Sequence, residues 1–286
     1  MPELSAFLRP SSLEEALAML SEHGDGARPL AGGTTLIFSK SSRVDTLVDL
    51  RGVGLDGADV RDDGLHLGAM LTLTGLGREL RGAACPTALL EAAGKAGTRV
   101  LQNQITVGGN CVQVYSWSDL PVAMLCLDAR FVLTGPGGSR TVAAKELFAK
   151  APVRTMQEGE LLVEVVVPTE GTAAGSAYQK FTRTDADHSI CSVAARVELD
   201  QSGAISLARV AAGAVRGLPQ LMGEVEQALV GKVPSEALLV EAGERAAKAA
   251  RITADYRATA GYRQQLLAVM VADMLGEAVK RAGGAK

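Results

Sequence analysis

The chain has 286 residues, with 29 Lys and Arg against 32 Asp and Glu and a net charge of −3 at pH 7. That mildly acidic balance, with no run of like charge, excludes the clustered basic footprint of a nucleic-acid binder. Hydrophobic residues at 47% and charged residues at 21% are ordinary for a globular protein, but aromatics at 3% leave the core to Ala, Val and Leu, and 32 glycines call for many tight turns or a ligand lying against main chain.

The opening Met1-Pro2-Glu3-Leu4-Ser5 has no basic stretch leading into an apolar one and does not read as a secretory signal. Ser11 and Ser12 cap a first helix, with Glu14 and Glu15 in its first turn and Leu13, Leu17 and Leu20 on one face; Gly24 and Gly26 end it. Residues 27–30 read as a strand running into a glycine turn, Ala31-Gly32-Gly33-Thr34-Thr35, and residues 36–40 as a short helix. Residues 46–50 and 65–69 are further strands. Residues 86–93 form a helix with proline near its first position, and a loop, 97–105, leads to a second glycine turn, Thr106-Val107-Gly108-Gly109-Asn110.

Residues 120–127 are apolar and helical, and 129–134 a strand closed by Gly135-Pro136-Gly137-Gly138. The β-branched run 161–167, bounded by Pro168, is a strand, and 168–175 reads as a linker. Strands follow at 176–182, 192–199 and 206–214, the last two joined by the hairpin turn Asp200-Gln201-Ser202-Gly203. Residues 235–286 are Ala-rich and helical, with a break at 251–254. No internal repeat is visible, and no stretch offers the ~20 apolar residues of a membrane helix. Mixed elements followed by a small sheet and helices give an α+β class.

The two glycine turns carry the chemical information. Consecutive glycines flanked by threonine expose backbone N–H groups without Cβ obstruction, and such nests bind phosphate oxygens. Two of them could hold a diphosphate from opposite sides, with Thr34, Thr35, Thr106 and Asn110 adding side-chain donors. Neither matches GxGxxG or GxxxxGK[ST], and a Gly-Gly pair alone in a glycine-rich chain is as readily a plain turn. Cys85, Cys111, Cys126 and Cys191 are far apart with no CxxC, so no zinc or iron–sulfur site is signalled and they read as reduced thiols of a cytoplasmic protein.

The order Pro29-Leu30-Ala31-Gly32-Gly33-Thr34-Thr35-Leu36, Val48-Asp49-Leu50 and Leu67-Gly68-Ala69-Met70-Leu71-Thr72 resembles the FAD-binding (medium) subunit of the molybdenum hydroxylases, of the carbon monoxide and xanthine dehydrogenase type. The resemblance continues through Arg99 to Asn110, Ser118-Asp119-Leu120-Pro121, Leu127-Asp128-Ala129, Gly159-Glu160-Leu161-Leu162, Ala177-Tyr178-Gln179-Lys180 and Tyr256 to Arg263, almost the whole chain. It implies an FAD-binding domain of the vanillyl-alcohol-oxidase (PCMH) type over residues 1–170, with lobes of about 1–55 and 56–170, then a small C-terminal α+β domain of sheet plus helices over 176–286.

The resemblance makes FAD the cofactor. Pro29 to Leu36, and Thr106 to Asn110 with Cys111, are then the segments around its pyrophosphate. Ser118 and Asp119 match a place where a carboxylate accepts hydrogen bonds from flavin hydroxyls; the plain alternative for Asp119 is an N-cap of the following helix. Leu161 and Leu162 match a segment near the adenine, or are an ordinary buried strand. Lys180 matches a cation beside the isoalloxazine, or is a solvated strand lysine. Asp187 and His188 stand where an aromatic after an acidic residue covers the flavin, although a surface histidine is the dull alternative. His23 and His66 have no catalytic company and read as structural.

Tyr115-Ser116-Trp117 departs from the family, which has small residues there; Trp117 could shield flavin, meet a partner or simply pack. Leu221 stands where relatives carry a basic residue, and the cysteine-bearing insertion of some relatives is missing between the glycine turns. The function implied is electron transfer: a large molybdopterin-binding subunit acts on the substrate, a small subunit with [2Fe–2S] clusters relays electrons, and this chain passes them to an external acceptor, in a hetero-oligomer that could double into a dimer of heterotrimers. The alternative is a freestanding FAD-dependent reductase or oxidase, for which Lys180, Asp187 and His188 are the only acid–base candidates.

Overall fold

Ser12 opens the first helix as expected: its hydroxyl accepts from the Glu15 N–H at 3.1 Å, and the helix runs Leu13–His23. This comes from a computed structural model that describes residues 4–38, 44–81, 85–185 and 187–283. The chain forms two compact units, the first from residues 1–81, 99–113 and 130–167, the second from 82–98, 114–129 and 168–286.

In the first unit, β1 (Ala6–Leu8), β2 (Ala27–Leu30) and β3 (Thr46–Asp49) form a parallel sheet in the order β1-β3-β2. Parallel strands need a crossover, which the Leu13–His23 helix supplies between β1 and β2. Its Ala16 packs with Ala27, Val48, Met70 and Val163 in one core. A second, antiparallel sheet contains β4 (Ala58–Arg61), β5 (Gly64–Gly68), β6 (Arg130–Gly135), β7 (Gly138–Ala143) and β8 (Leu161–Val167) in the order β4-β5-β8-β6-β7. β8 lies at its centre with both faces covered, which is why its sequence is apolar at every position but Glu164.

Glu164 has a partner in His66 on β5. The buried imidazole places Nδ1 2.9 Å from Glu164 and Nε2 2.7 Å from Asp63. Burial opposes the imidazolium, but the two carboxylates prevail and hold its pKa above the ordinary value. His66 is structural as read, and ionic as well.

In the second unit, β9 (Ala174–Phe181), β10 (Cys191–Leu199), β11 (Ile205–Gly213) and β12 (Gln220–Leu221) form an antiparallel sheet in the order β12-β11-β10-β9. The long helices Glu236–Ala249 and Ala260–Ala282 supply Ala246, Leu267, Val271 and Leu275 to a core shared with Val193 and Val210. The two helices cross closely at Gly243, where a Cβ would lie 2.1 Å from the Ala268 carbonyl oxygen.

The α+β class holds, and so does the C-terminal helix break. Other expectations need correction. β9 begins at Ala174, inside the stretch read as a linker, because Leu199 N–H bonds the Ala173 carbonyl and extends the pairing. The loop 97–105 contains a short helix, Arg99–Gln102, too brief to show a periodicity. The helix expected at 36–40 is a single turn, Leu36–Phe38; residues 39 and 40 lie outside the described residues. No helix among the described residues is long and apolar enough to cross a membrane.

Candidate functional site

In the first unit the two glycine segments come together. A Cβ on Gly32 would sit 1.5 Å from the Gln104 carbonyl oxygen, and one on Gly109 would stand 4.0 Å from the Ala31 Cβ. The segments differ in what they leave free. The first is an open turn after β2, half-buried, with Gly33 at φ +73. Among the described residues nothing accepts from the N–H groups of Gly32, Gly33 or Thr34. Unpaired main-chain donors in a glycine turn are what an anion nest draws on.

The second segment is not the open turn expected. It is the start of the helix Val107–Val112, capped by Thr106, and its main-chain donors are occupied. Val107 N–H bonds the Leu71 carbonyl at 2.9 Å, Gly108 that of Ala69 at 2.8 Å, and Asn110 that of Thr106 at 3.0 Å; Gly109 N–H bonds the Thr106 hydroxyl at 3.0 Å. Gly108 is glycine for an inward reason, since a Cβ there would meet the Ala69 Cβ at 2.7 Å. The Leu67–Thr72 motif thus serves to brace this segment.

What the second segment still offers is the Asn110 side chain, whose Oδ1 is buried without a hydrogen-bond partner among the described residues. A buried amide oxygen left so costs about 1–3 kcal/mol until something satisfies it. Rotated about its last bond, the same amide presents an NH₂ donor there. Cys111 is fully buried and burial pushes its thiol up, so only its main chain could meet a ligand. Pro29 is exposed, and Leu30 and Leu36 are half-buried. Leu161 and Leu162 are buried in β8, the setting of an ordinary core strand.

In the second unit Asp119 stands at the N-cap of the helix Leu120–Cys126, but its side chain makes no cap bond, which corrects that alternative. Instead the Tyr178 hydroxyl donates to its Oδ1 at 2.5 Å, the Ser189 hydroxyl lies 3.4 Å from the same atom, and Lys180 Nζ is 3.6 Å from Oδ2. Lys180 and Asp119 side chains are each 6% exposed, so the solvated-lysine alternative fails as well. Burial pushes the Asp119 carboxyl up to about 6, with Lys180 and Tyr178 pulling the other way. Burial and the neighbouring carboxylate hold the Tyr178 phenol well above its ordinary range, so it remains a donor.

Tyr178 and Ser189 are absent from the sequence reading of the site. For Tyr178 the signal existed: it lies two residues before Lys180 on β9, and residues at that spacing share a strand face. Ser118 is buried and accepts from the Tyr115 N–H at 3.0 Å. Asp187 accepts from the His188 N–H at 2.9 Å and from Arg183 at 3.0 Å, which hold its carboxyl below the usual range. His188 is exposed yet not loose. Its ring stacks on Trp117 at 4.2 Å and 14°, and Trp117 stacks on Tyr115 at 4.9 Å and 3°.

Comparison with known proteins settles the family. Residues 3–170 match the profile described as the FAD binding domain in molybdopterin dehydrogenase, and residues 176–278 match that of the CO dehydrogenase flavoprotein C-terminal domain. The chain belongs to the flavoprotein subunits of the molybdenum hydroxylases. It is 35% identical over 285 residues to the carbon monoxide dehydrogenase medium chain of Afipia carboxidovorans, covering 96% of this chain and 95% of the relative. It is 30% identical over 276 residues to the glyceraldehyde dehydrogenase medium chain of Sulfolobus acidocaldarius, covering 94% and 96%. The solved structure of reconstituted CO dehydrogenase from Oligotropha carboxidovorans matches with a TM-score of 0.91 at 30% identity, covering 98% of this chain and 99% of that one. As a flavoprotein subunit of this family the chain is an oxidoreductase component with FAD as its cofactor. Among the described residues the first unit fits that group, with N–H donors of the Ala31–Thr35 turn that no acceptor meets and a buried Asn110 amide oxygen that no donor meets.

Proposed function

We propose that this chain is the electron-transfer subunit of a multi-subunit molybdenum hydroxylase, taking electrons from a small [2Fe–2S] subunit, fed by a large molybdopterin-binding subunit, and handing them to an external acceptor. The observation that carries the reading is the match over both parts of the chain to proteins named as medium chains of such dehydrogenases. In this reading residues 1–170 are the FAD-binding domain, residues 176–286 the C-terminal domain, and the compartment is the cytoplasm.

When bound, FAD supplies the redox chemistry, and the protein sets its position and local charge. In the first unit the Gly32, Gly33 and Thr34 N–H groups, the Thr34 and Thr35 hydroxyls and the Asn110 amide would hold the diphosphate, and the Leu161 and Leu162 main chain would serve the adenine. Taken by itself, the second unit would offer Asp119 as an acceptor for a flavin hydroxyl, Lys180 as a cation favouring negative charge, and His188 as a planar ring able to stack. A freestanding enzyme would need an acid–base pair of its own. Lys180 and Asp187 are already paired with Asp119 and Arg183, which supports the subunit reading.

Purification from the native host tests it. The chain is expected to copurify with a molybdopterin-containing large subunit and a [2Fe–2S] subunit. Full turnover of a small substrate by the isolated chain, with neither molybdenum nor iron present, would sink the proposal.

A further inference from the structure

We infer that Arg257 is a positioning residue of the flavin site: it clamps the loop carrying Trp117 and Asp119 to the loop carrying His188. The inference rests on the flavin reading above.

Arg257 lies between the two C-terminal helices, and its side chain is 4% exposed. Its Nη1 donates to the Ser189 carbonyl at 2.8 Å, its Nη2 to the Ser116 hydroxyl at 2.9 Å, and its Nε to Asp255 at 3.0 Å, with a further short bond from Nη2 to Asp255. The guanidinium centre stands 5.2 Å from the Trp117 ring. Ser116 precedes Trp117 and Ser189 follows His188, so two bonds of one planar fork tie together the segments whose rings stack. Ser189 also lies within 3.4 Å of Asp119, which brings the clamp one residue from the buried carboxylate.

Asp255 is anchored in turn. Arg263, 1% exposed, donates to it at 2.6 Å and grips the Ile190 carbonyl at 3.1 Å and that of Thr253 at 2.5 Å. Two guanidinium groups flanking a carboxylate therefore hold consecutive carbonyls, Ser189 and Ile190. Asp255 itself keeps access to water, which screens its attraction to the two guanidinium groups and leaves the pairing little weight in stability. What it fixes is geometry, and a guanidinium fork fixes it in a way that an ammonium cannot.

The charge of Arg257 bears on His188 as well. The charged groups facing His188 are Asp187 beside it, Lys180 on β9 and Arg257 from the C-terminal segment; burial and the Arg257 cation together hold the imidazole below its ordinary pKa against the pull of Asp187.

Trp117 is the only tryptophan, so its fluorescence reports the ring column, and a protonated imidazole stacked on it quenches that emission. The full chain is titrated from pH 5 to pH 8.5, then with FAD at fixed pH. In Arg257→Gln the quenching midpoint is expected to rise toward about 6.5 and the Kd for FAD to rise about tenfold. Arg257→Lys keeps the charge and loses the fork, so the midpoint stays low while FAD affinity still falls. Ser116→Ala gives a smaller loss of affinity. Arg245→Gln, which breaks only an exposed pair with Glu241, leaves both readings unchanged. A folded Arg257→Gln chain with the wild-type midpoint and wild-type FAD affinity overturns the inference. Should that variant not fold, wild-type affinity in both Arg257→Lys and Ser116→Ala overturns it. A wild-type chain that binds no FAD defeats the flavin reading instead, and the fluorescence midpoint then decides the clamp by itself.

Discussion

Asn110 carries a buried amide oxygen that no group among the described residues satisfies, so removing it separates cofactor binding from folding. Asn110→Ala is expected to raise the melting temperature of the FAD-free chain and to weaken FAD binding by about tenfold, the size of one hydrogen bond of ~1.4 kcal/mol; calorimetry and flavin fluorescence measure the two. Asp119 gives a pH dependence. Burial raises its carboxyl to about 6, so it is ionised above that value and neutral below it. FAD affinity is expected to fall as pH drops through about 6, as the carboxylate loses acceptor strength and its charge opposite Lys180. Asp119→Asn should bind weakly and without that pH step. The glycine pairs were legible as places of close approach. That the donors of the second pair are occupied was not, because the carbonyls of Ala69 and Leu71 reach it only through tertiary pairing. Tyr178 and Arg257 stood inside the family-like stretches with no role attached, since their partners lie far away in the chain.

At the scale of elements, legibility followed burial. β8 announces itself as an apolar run because both its faces are covered, whereas β4 is mostly exposed and β12 is two residues long, so neither carries a hydrophobic pattern. The helix Leu73–Glu79, started by the Thr72 hydroxyl, is absent from the sequence reading, since its two glycines interrupt the apolar pattern of so short a helix. The seating of the first glycine turn on the segment before the second depends on Gly32. Gly32→Ala places a methyl inside the Gln104 carbonyl, so the two segments must part. Loss of FAD and a destabilisation of about 1–3 kcal/mol are expected. Gly57→Ala, with open space around the same position of the side chain, should leave both unaffected in a melting and flavin-content assay.

Across the whole molecule the α+β class was readable from element order, while the make-up of the two compact units was not. Segments 82–98 and 114–129 cluster with residues far ahead of them in the chain, and no local pattern signals such interleaving. Global stability should carry a signature of His66. Its folded pKa lies above the unfolded value of about 6.5, so the stabilisation is complete below that pH and is lost as pH rises through the folded value. His66→Gln should therefore lower stability by about 2 kcal/mol at pH 6 and progressively less toward pH 9, as read from denaturant melts at the two pH values.

The interleaving also limits how the protein can be divided. The backbone passes from one unit to the other at 81/82, 98/99, 113/114, 129/130 and 167/168. A cut near residue 168 looks natural on paper, yet it would leave the helices Thr87–Lys95 and Leu120–Cys126 attached to the fragment that does not cover them. Leu89, Ala92, Val122 and Met124 would be left facing water. Neither half is a portable module: any swap, fusion or shortened version of this protein has to take the two together.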